Sequence, residues 1–109
     1  MNKKQELITI KSLVESILKQ DAGTRNSDSY LYLRVIGELA GEKMIDLSKV
    51  SILDFLHNMS KWGFPPFETV RRARQYLQHD DPELSSNEEV QTFRTQYEAV
   101  FREFARGEL

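Results

Sequence analysis

Apolar residues recur at intervals of three and four along most of this chain, which is the spacing of an amphipathic α-helix. Short segments rich in turn-forming residues separate these periodic stretches. Because no pair of strands is evident, we predict a small all-α domain spanning residues 1–109. Its five helices run from about Lys4 to Lys19, from Asp28 to about Glu42, from Ser51 to about Trp62, from Phe67 to Gln78, and from Ser86 to about Phe104.

The apolar positions of each helix predict which face is buried. The last helix has the most sustained periodicity, so we expect its aromatic side chains to pack on one side against the rest of the domain. The predicted core positions are, helix by helix, Leu7, Ile10, Val14, Ile17 and Leu18; Leu31, Val35 and Leu39, with Tyr32 and Ile36 beside them; Ile52, Phe55, Leu56, Met59 and Trp62; Phe67, Val70, Ala73 and Leu77; and Val90, Phe93, Tyr97, Val100, Phe101 and Phe104.

Several residues mark the predicted helix ends. Asp28, Ser51 and Ser86 are suited to cap the second, third and fifth helices, because their side chains can accept hydrogen bonds from first-turn amides. Pro66 precedes the fourth helix, and proline is favoured in a first turn. Gly63 is placed to end the third helix as its C′ residue, so we expect a positive φ there.

The segment 51–79 has the element order of a helix-turn-helix. In that motif one helix packs on the core, and the next exposes polar side chains to solvent. The fourth helix combines an apolar stripe with arginine and glutamine on its other side. After Gln78 only residues 79–85 precede the next helix, and this is too short for a two-stranded wing. We therefore predict a helix-turn-helix-like core without a wing.

The polar side of the fourth helix is the candidate functional surface. Arginine can bond guanine and glutamine can bond adenine in a bidentate manner, while a threonine can contact the backbone or a thymine methyl. A solvated helix face and a protein-binding face are the alternatives. For DNA recognition, Arg71, Arg72 and Gln75 must point to solvent on one side without internal salt bridges. The full candidate set is Thr69, Arg71, Arg72, Arg74, Gln75 and Gln78.

Charge is distributed unevenly along a chain whose net charge is −2. Residues 61–79 hold four basic side chains against Glu68 alone, whereas residues 80–109 hold eight acids against three arginines. The basic segment favours contact with DNA. The overall acidity favours a protein partner, because DNA-binding domains usually neutralise phosphates with an excess of basic residues.

Other chemistry finds little support in the sequence. There is no cysteine, which excludes disulfides, thiolate metal sites and a thiol nucleophile and fits a reducing cytoplasm. Neither His57 nor His79 has a second ligand at metal-binding spacing, and no nucleophile elbow or glycine-rich phosphate loop occurs. No signal peptide or membrane-spanning apolar run is evident. We therefore expect a cytoplasmic, non-enzymatic protein without cofactor, metal or membrane association.

Two parts of the chain carry a resemblance to a known group. They are Thr24-Arg25-Asn26-Ser27-Asp28 with Leu31-Tyr32-Leu33, and Phe67-Glu68-Thr69-Val70 followed by Arg72, Arg74, Leu77, Gln78 and Pro82-Glu83-Leu84. Over residues 24–104 the chain resembles small uncharacterised proteins encoded by phages and prophages of Gram-positive bacteria. The resemblance implies a mobile-element origin and a helical domain with a helix-turn-helix-like centre, and it implies no activity.

We therefore predict a nucleic-acid-binding accessory or regulatory protein that contacts double-stranded DNA through residues 67–78. The alternative is an adaptor that binds a phage or host protein through the same helix or through the aromatic turn 62–67. A dimer would double the basic footprint and place two half-sites about one DNA turn apart, but the sequence does not specify an oligomeric state. The loop 24–28 either caps its neighbouring helices or offers Arg25 as a contact.

Overall fold

A computed structural model describes residues 3–107, and it describes their side chains except at residues 3–8, 101, 104 and 105. Strands are absent from this part of the chain, which confirms the prediction of an all-α domain without a wing. The five helices are α1 (Lys3–Gln20), α2 (Asp28–Lys43), α3 (Ile52–Asn58), α4 (Phe67–Asp80) and α5 (Glu88–Ala105), with short 3-10 turns at Ala22–Arg25, Leu47–Lys49 and Pro82–Leu84.

The core lies where α1, α2 and α4 meet, and α1 contacts both of the other two helices. The predicted inward positions of α1 and α2 are confirmed, apart from Leu7, which lies outside the described side chains. Val70 and Leu77 supply the buried side of α4. The buried apolar side chains are Val14, Ile17, Leu18, Leu31, Val35, Ile36, Leu39, Ala40, Phe55, Phe64, Val70, Leu77 and Leu84.

The predicted apolar stripe of the third helix is wrong in part. The helix ends at Asn58, and a helix of two turns presents only one short side to the core. Phe55 is buried there against Phe64, with ring centroids 5.2 Å apart. Ile52 and Leu56 instead face solvent, with 74% and 59% of their surface exposed.

The prediction that α5 packs its aromatic side chains on the core is also wrong. Phe93, Tyr97 and Val100 are 65%, 60% and 55% exposed, while Phe101 and Phe104 lie outside the described side chains. The radius of gyration is 15.5 Å, against about 13 Å for a compact chain of this length. Phe93, Tyr97 and Val100 of α5 are therefore not core residues of the domain.

The helix caps differ from prediction at two of three positions. Ser27, rather than Asp28, caps α2 by accepting a hydrogen bond from the Tyr30 amide at 3.2 Å. Asn87, rather than Ser86, caps α5 by accepting from the Val90 amide at 2.9 Å. Ser51 caps α3 as predicted. The consequence at α2 is that the carboxylate of Asp28 is left to form another contact.

The connection between α3 and α4, residues 59–66, begins with a Schellman motif. The amide of Phe64 donates to the carbonyl of Met59 at 2.9 Å, and the amide of Gly63 donates to the carbonyl of Ser60 at 3.1 Å. Gly63 has a φ of 84°, which confirms the predicted positive value. The connection is longer than the three- or four-residue turn of a helix-turn-helix, and α4 packs chiefly on α1 and α2.

Replacing Gly63 by alanine tests the energetic role of this turn. Because L-residues disfavour the left-handed region, we expect Gly63→Ala to lower the free energy of unfolding by about 1 kcal/mol. Gly37→Ala is the control, since a Cβ there meets no atom within 4 Å. This helix-interior change should raise stability by roughly 0.5–1 kcal/mol. Urea denaturation measures both, and an unchanged Gly63→Ala midpoint would contradict the assignment.

Candidate functional site

The six candidate residues of α4 do not form one solvent-facing surface. Arg72 is exposed, with 70% of its side chain accessible. Arg74 is buried, whereas Thr69, Arg71, Gln75 and Gln78 are half-buried. The helix turns much of its polar side toward α2 and α5, so each residue has to be assessed by its own contacts.

Arg74 ties α4 to the start of α2. Its Nε and Nη2 donate to the carboxylate of Asp28 at 2.8 and 3.1 Å, and its Nη1 donates to Gln78 Oε1 at 3.2 Å. Only 7% of the Arg74 side chain is exposed. A bidentate ion pair at this depth holds the guanidinium in one orientation, so Arg74 is not available for the DNA contact that the sequence predicted.

Gln78 and Arg94 extend this pair into a network that reaches α5. The Gln78 side-chain amide donates to the carbonyls of Arg25 and Leu84 at 3.1 and 2.9 Å. Arg94 donates to the Arg25 carbonyl at 3.2 Å and lies 3.5 Å from the Asp28 carboxylate. Burial, followed by the charge of nearby Arg74, lowers the pKa of Arg94. Gln78 is thus a structural residue rather than an exposed contact.

The loop 24–28 closes the same network from the other side. Arg25 Nε donates to the carbonyl of Leu18 at 2.7 Å, which satisfies the end of α1. Asn26 Oδ1 accepts a hydrogen bond from the amide of Asn87 at 2.9 Å, which fixes the start of α5. Of the two roles considered for this loop, the observed contacts support the capping role.

Arg71 and Arg72 share the carboxylate of Glu68, which lies in the first turn of α4. Arg71 bonds both oxygens of Glu68, and Arg72 Nε donates to Oε1 at 3.2 Å. The hydrogen bond from Arg71 is the main cause that lowers the Glu68 pKa to about 2. The requirement that Arg71 and Arg72 be free of internal salt bridges is therefore not met, although both remain partly accessible.

A cleft of about 1240 Å³ separates α4 from α5. Gln75 on α4 donates to Glu98 on α5 at 3.4 Å, and both residues line the cleft. The Phe93 and Tyr97 rings stack with centroids 6.2 Å apart on the α5 side. The lining mixes exposed aromatic groups with charged ones; it consists of Asn26, Asp28, Phe67, Glu68, Arg71, Arg74, Gln75, Glu89, Val90, Phe93, Arg94, Tyr97, Glu98 and Arg102.

Sequence reasoning missed the α5 side of this cleft. It placed Phe93 and Tyr97 in the core, because periodicity reports an apolar face without saying what covers it. It also missed Asp28 as the partner of Arg74. The available signal was the neighbouring pair Ser27 and Asp28, of which only one could cap α2.

The described residues contain no group of three or more histidine, aspartate or glutamate side chains placed to hold a metal ion. Among the described helices none is long and apolar enough to cross a membrane. No protein-family model, curated protein sequence or solved structure matches this chain. The case for function therefore depends on the geometry of the cleft.

Removing the Asp28 carboxylate should test the network directly. Asp28→Ala leaves the guanidinium groups of Arg74 and Arg94 without their carboxylate, and we expect a loss of roughly 2–4 kcal/mol in the free energy of unfolding. Arg72→Ala, which removes an exposed cation, should change stability by less than about 0.5 kcal/mol. Chemical denaturation compares the two variants. Equal effects would show that the network contributes no special stability.

The Glu68 carboxyl group should titrate near pH 2 rather than at its ordinary pKa of 4.5. Because its folded-state pKa is depressed, the contribution of the Arg71 pair to stability is complete above pH 4.5 and is lost as the pH falls toward 2. Carboxyl-carbon NMR titration measures this pKa. Arg71→Ala should move it toward the ordinary value, and Arg72→Ala should move it less. An ordinary Glu68 pKa in the wild type would contradict the pairing.

Proposed function

We propose that the protein is a non-enzymatic adaptor whose cleft between α4 and α5 binds a segment of a partner protein. The observation that supports this most is the exposed aromatic pair Phe93 and Tyr97, which faces a concave space instead of a core. Large aromatic side chains are the residues on which protein interfaces most depend. In keeping with the resemblance to prophage proteins, the partner is a phage or host protein.

The form of the cleft suits a helical segment. An α-helix has a diameter of about 10–12 Å and a pitch of 5.4 Å, so the volume of about 1240 Å³ accommodates roughly two turns. Helix-in-groove binding places apolar side chains of the guest against an apolar wall and leaves polar ones at the rim. Here Phe67 and Phe93 supply apolar contacts on opposite sides.

The adaptor function can be tested by affinity capture from a Gram-positive host, followed by measurement of Kd for each captured protein. Phe93→Ser removes an exposed aromatic side chain from the cleft, and we expect roughly ten- to thirtyfold weaker binding. Leu53→Ser is the matched control, because Leu53 is 76% exposed on α3 and lies outside the cleft. Loss of binding in Leu53→Ser alone would place the interface on α3 and reject the cleft.

A second candidate function is binding of duplex DNA through the outer side of α4. It is favoured by Arg72, whose side chain is 70% exposed, and by the sharing of Glu68 between two arginines. Arg74 and Gln78 are held internally, and Arg71 and Gln75 line the cleft. On the outer side the contacts would therefore come chiefly from Thr69 and Arg72, with Arg71 and Gln75 at the border. A helix reads DNA as a convex element inside the major groove, which suits the outer side of α4 but not the cleft.

Duplex binding at low and high salt separates the two functions. If α4 contacts DNA, Arg71→Ala combined with Arg72→Ala should weaken binding and reduce the salt slope by about one unit per lost phosphate contact. The adaptor function predicts that the same double variant loses affinity only for a protein partner. A folded protein that binds no duplex at about 50 mM salt eliminates the DNA function.

A further inference from the structure

The apolar positions of α5 follow a heptad pattern. They recur at alternating intervals of three and four residues, which is the a and d spacing of a helix that pairs with another helix side by side. These positions are Val90, Phe93, Tyr97, Val100 and Phe104. Three of them form an exposed stripe, in which Phe93 is 65%, Tyr97 is 60% and Val100 is 55% accessible. The spacing therefore indicates a helix–helix seam that the domain itself does not bury.

The exposed area of this stripe is of the size that a weak, reversible dimer buries. At exposures of 65% and 60%, Phe93 and Tyr97 leave roughly 200–300 Å² of aromatic surface open in each copy. Two copies would cover about 400–600 Å² with these side chains alone, against about 1,200 Å² in total at the lower limit of specific interfaces. Val100 and the polar residues beside the stripe add the remaining area.

A second copy of α5 matches this stripe position for position. In a symmetric pair each a or d layer takes the same residue types from both helices, and none of the five is charged. The Phe93 and Tyr97 rings lie nearly parallel, with 21° between their planes, and so offer a flat apolar surface. The seam therefore needs no helix of a different sequence to cover it.

The charges beside the stripe specify the direction of such a pair. In the heptad Glu89 and Glu103 are at g and Arg94 is at e. Parallel helices bring g of one copy to the next e of the other, so Glu89 meets Arg94. Antiparallel helices bring g positions together, which places Glu89 against Glu103. Arg94 can take a second carboxylate, because it shares Asp28 with Arg74 and keeps 19% of its side chain accessible.

We propose that two copies of this chain associate through α5, side by side and parallel, so that Phe93, Tyr97 and Val100 of each copy cover those of the other. This inference goes beyond the proposed adaptor function and does not require it. Phe93 and Tyr97 also line the cleft. A partner segment bound in the cleft therefore competes with the second copy for the same two rings.

Sedimentation equilibrium of the full chain over a range of concentrations tests the association. We expect a monomer–dimer equilibrium with a Kd in the micromolar range. Val100→Ser should weaken it about tenfold, because every dimer loses two apolar contacts. Val100 does not line the cleft, so this variant separates the seam from the cleft. Leu53→Ser is the control, since Leu53 is 76% exposed on α3, and its Kd should stay within about twofold of the wild type.

A charge reversal tests the direction of the pair. Glu89→Lys should weaken the dimer by roughly three- to tenfold, because it removes two symmetric contacts with Arg94 and replaces them with repulsion. In an antiparallel pair the same change would strengthen the dimer through Glu103. Glu88→Lys is the matched control. It alters the same first turn of α5, but residue 88 is at f, on the side away from the seam. Circular dichroism verifies that each variant keeps its helices.

The outcomes separate this inference from the proposed function. A chain that stays monomeric up to about 1 mM overturns the dimer and leaves the adaptor function standing. A dimer that is insensitive to Val100→Ser overturns the α5 seam, and one that Glu89→Lys strengthens overturns the parallel arrangement. A capture experiment that yields no partner counts against the adaptor alone, because dimerisation is measured on the isolated chain.

Discussion

The Asp28–Arg74 ion pair is the interaction on which the arrangement of this domain depends. It joins the first turn of α2 to the middle of α4 across 46 residues of sequence. Gln78 and Arg94 attach the loop after α1 and the start of α5 to the same pair. Removing one partner of a buried charge pair is strongly destabilising, whereas replacing the whole pair by apolar residues often is not. The network therefore contributes more to the orientation of the helices than to net stability. It fixes the orientation of α5 relative to α4.

That orientation creates the cleft. Hydrogen bonds from Arg94 to Gln78 and from Gln75 to Glu98 hold α5 beside α4 at one end. The residues that line the space between the helices include both apolar and charged side chains, among them Phe67, Phe93 and Arg71. Polar contacts with α4 hold α5 in place, and α5 carries exposed aromatic side chains. The cleft is therefore a preformed site. A partner then loses less conformational entropy on binding than it would with a mobile arm.

Much of the fold could be predicted from the sequence, because helical periodicity and turn residues are local signals. The inward residues of α1 and α2 were assigned correctly, and the positive φ of Gly63 was confirmed. The site could be predicted less well. Periodicity cannot distinguish an apolar face that meets the core from one such as Phe93 and Tyr97 that meets solvent. Nor does an arginine on a polar stripe show whether a distant carboxylate will bury it, as Asp28 buries Arg74.

The arginines of α4 are placed so that few of them are free to contact DNA, although the sequence of this helix is basic. Of the three arginines in α4, Arg74 is neutralised inside the fold, and Arg71 and Arg72 share Glu68. A phosphate would have to compete with that carboxylate, whose pKa the hydrogen bond from Arg71 lowers to about 2. A protein segment would face the same competition at Arg71, but it would bring apolar contacts with Phe93 that a phosphate backbone lacks. The mixed polar and apolar lining is therefore the main support for the proposal that this cleft binds a protein segment.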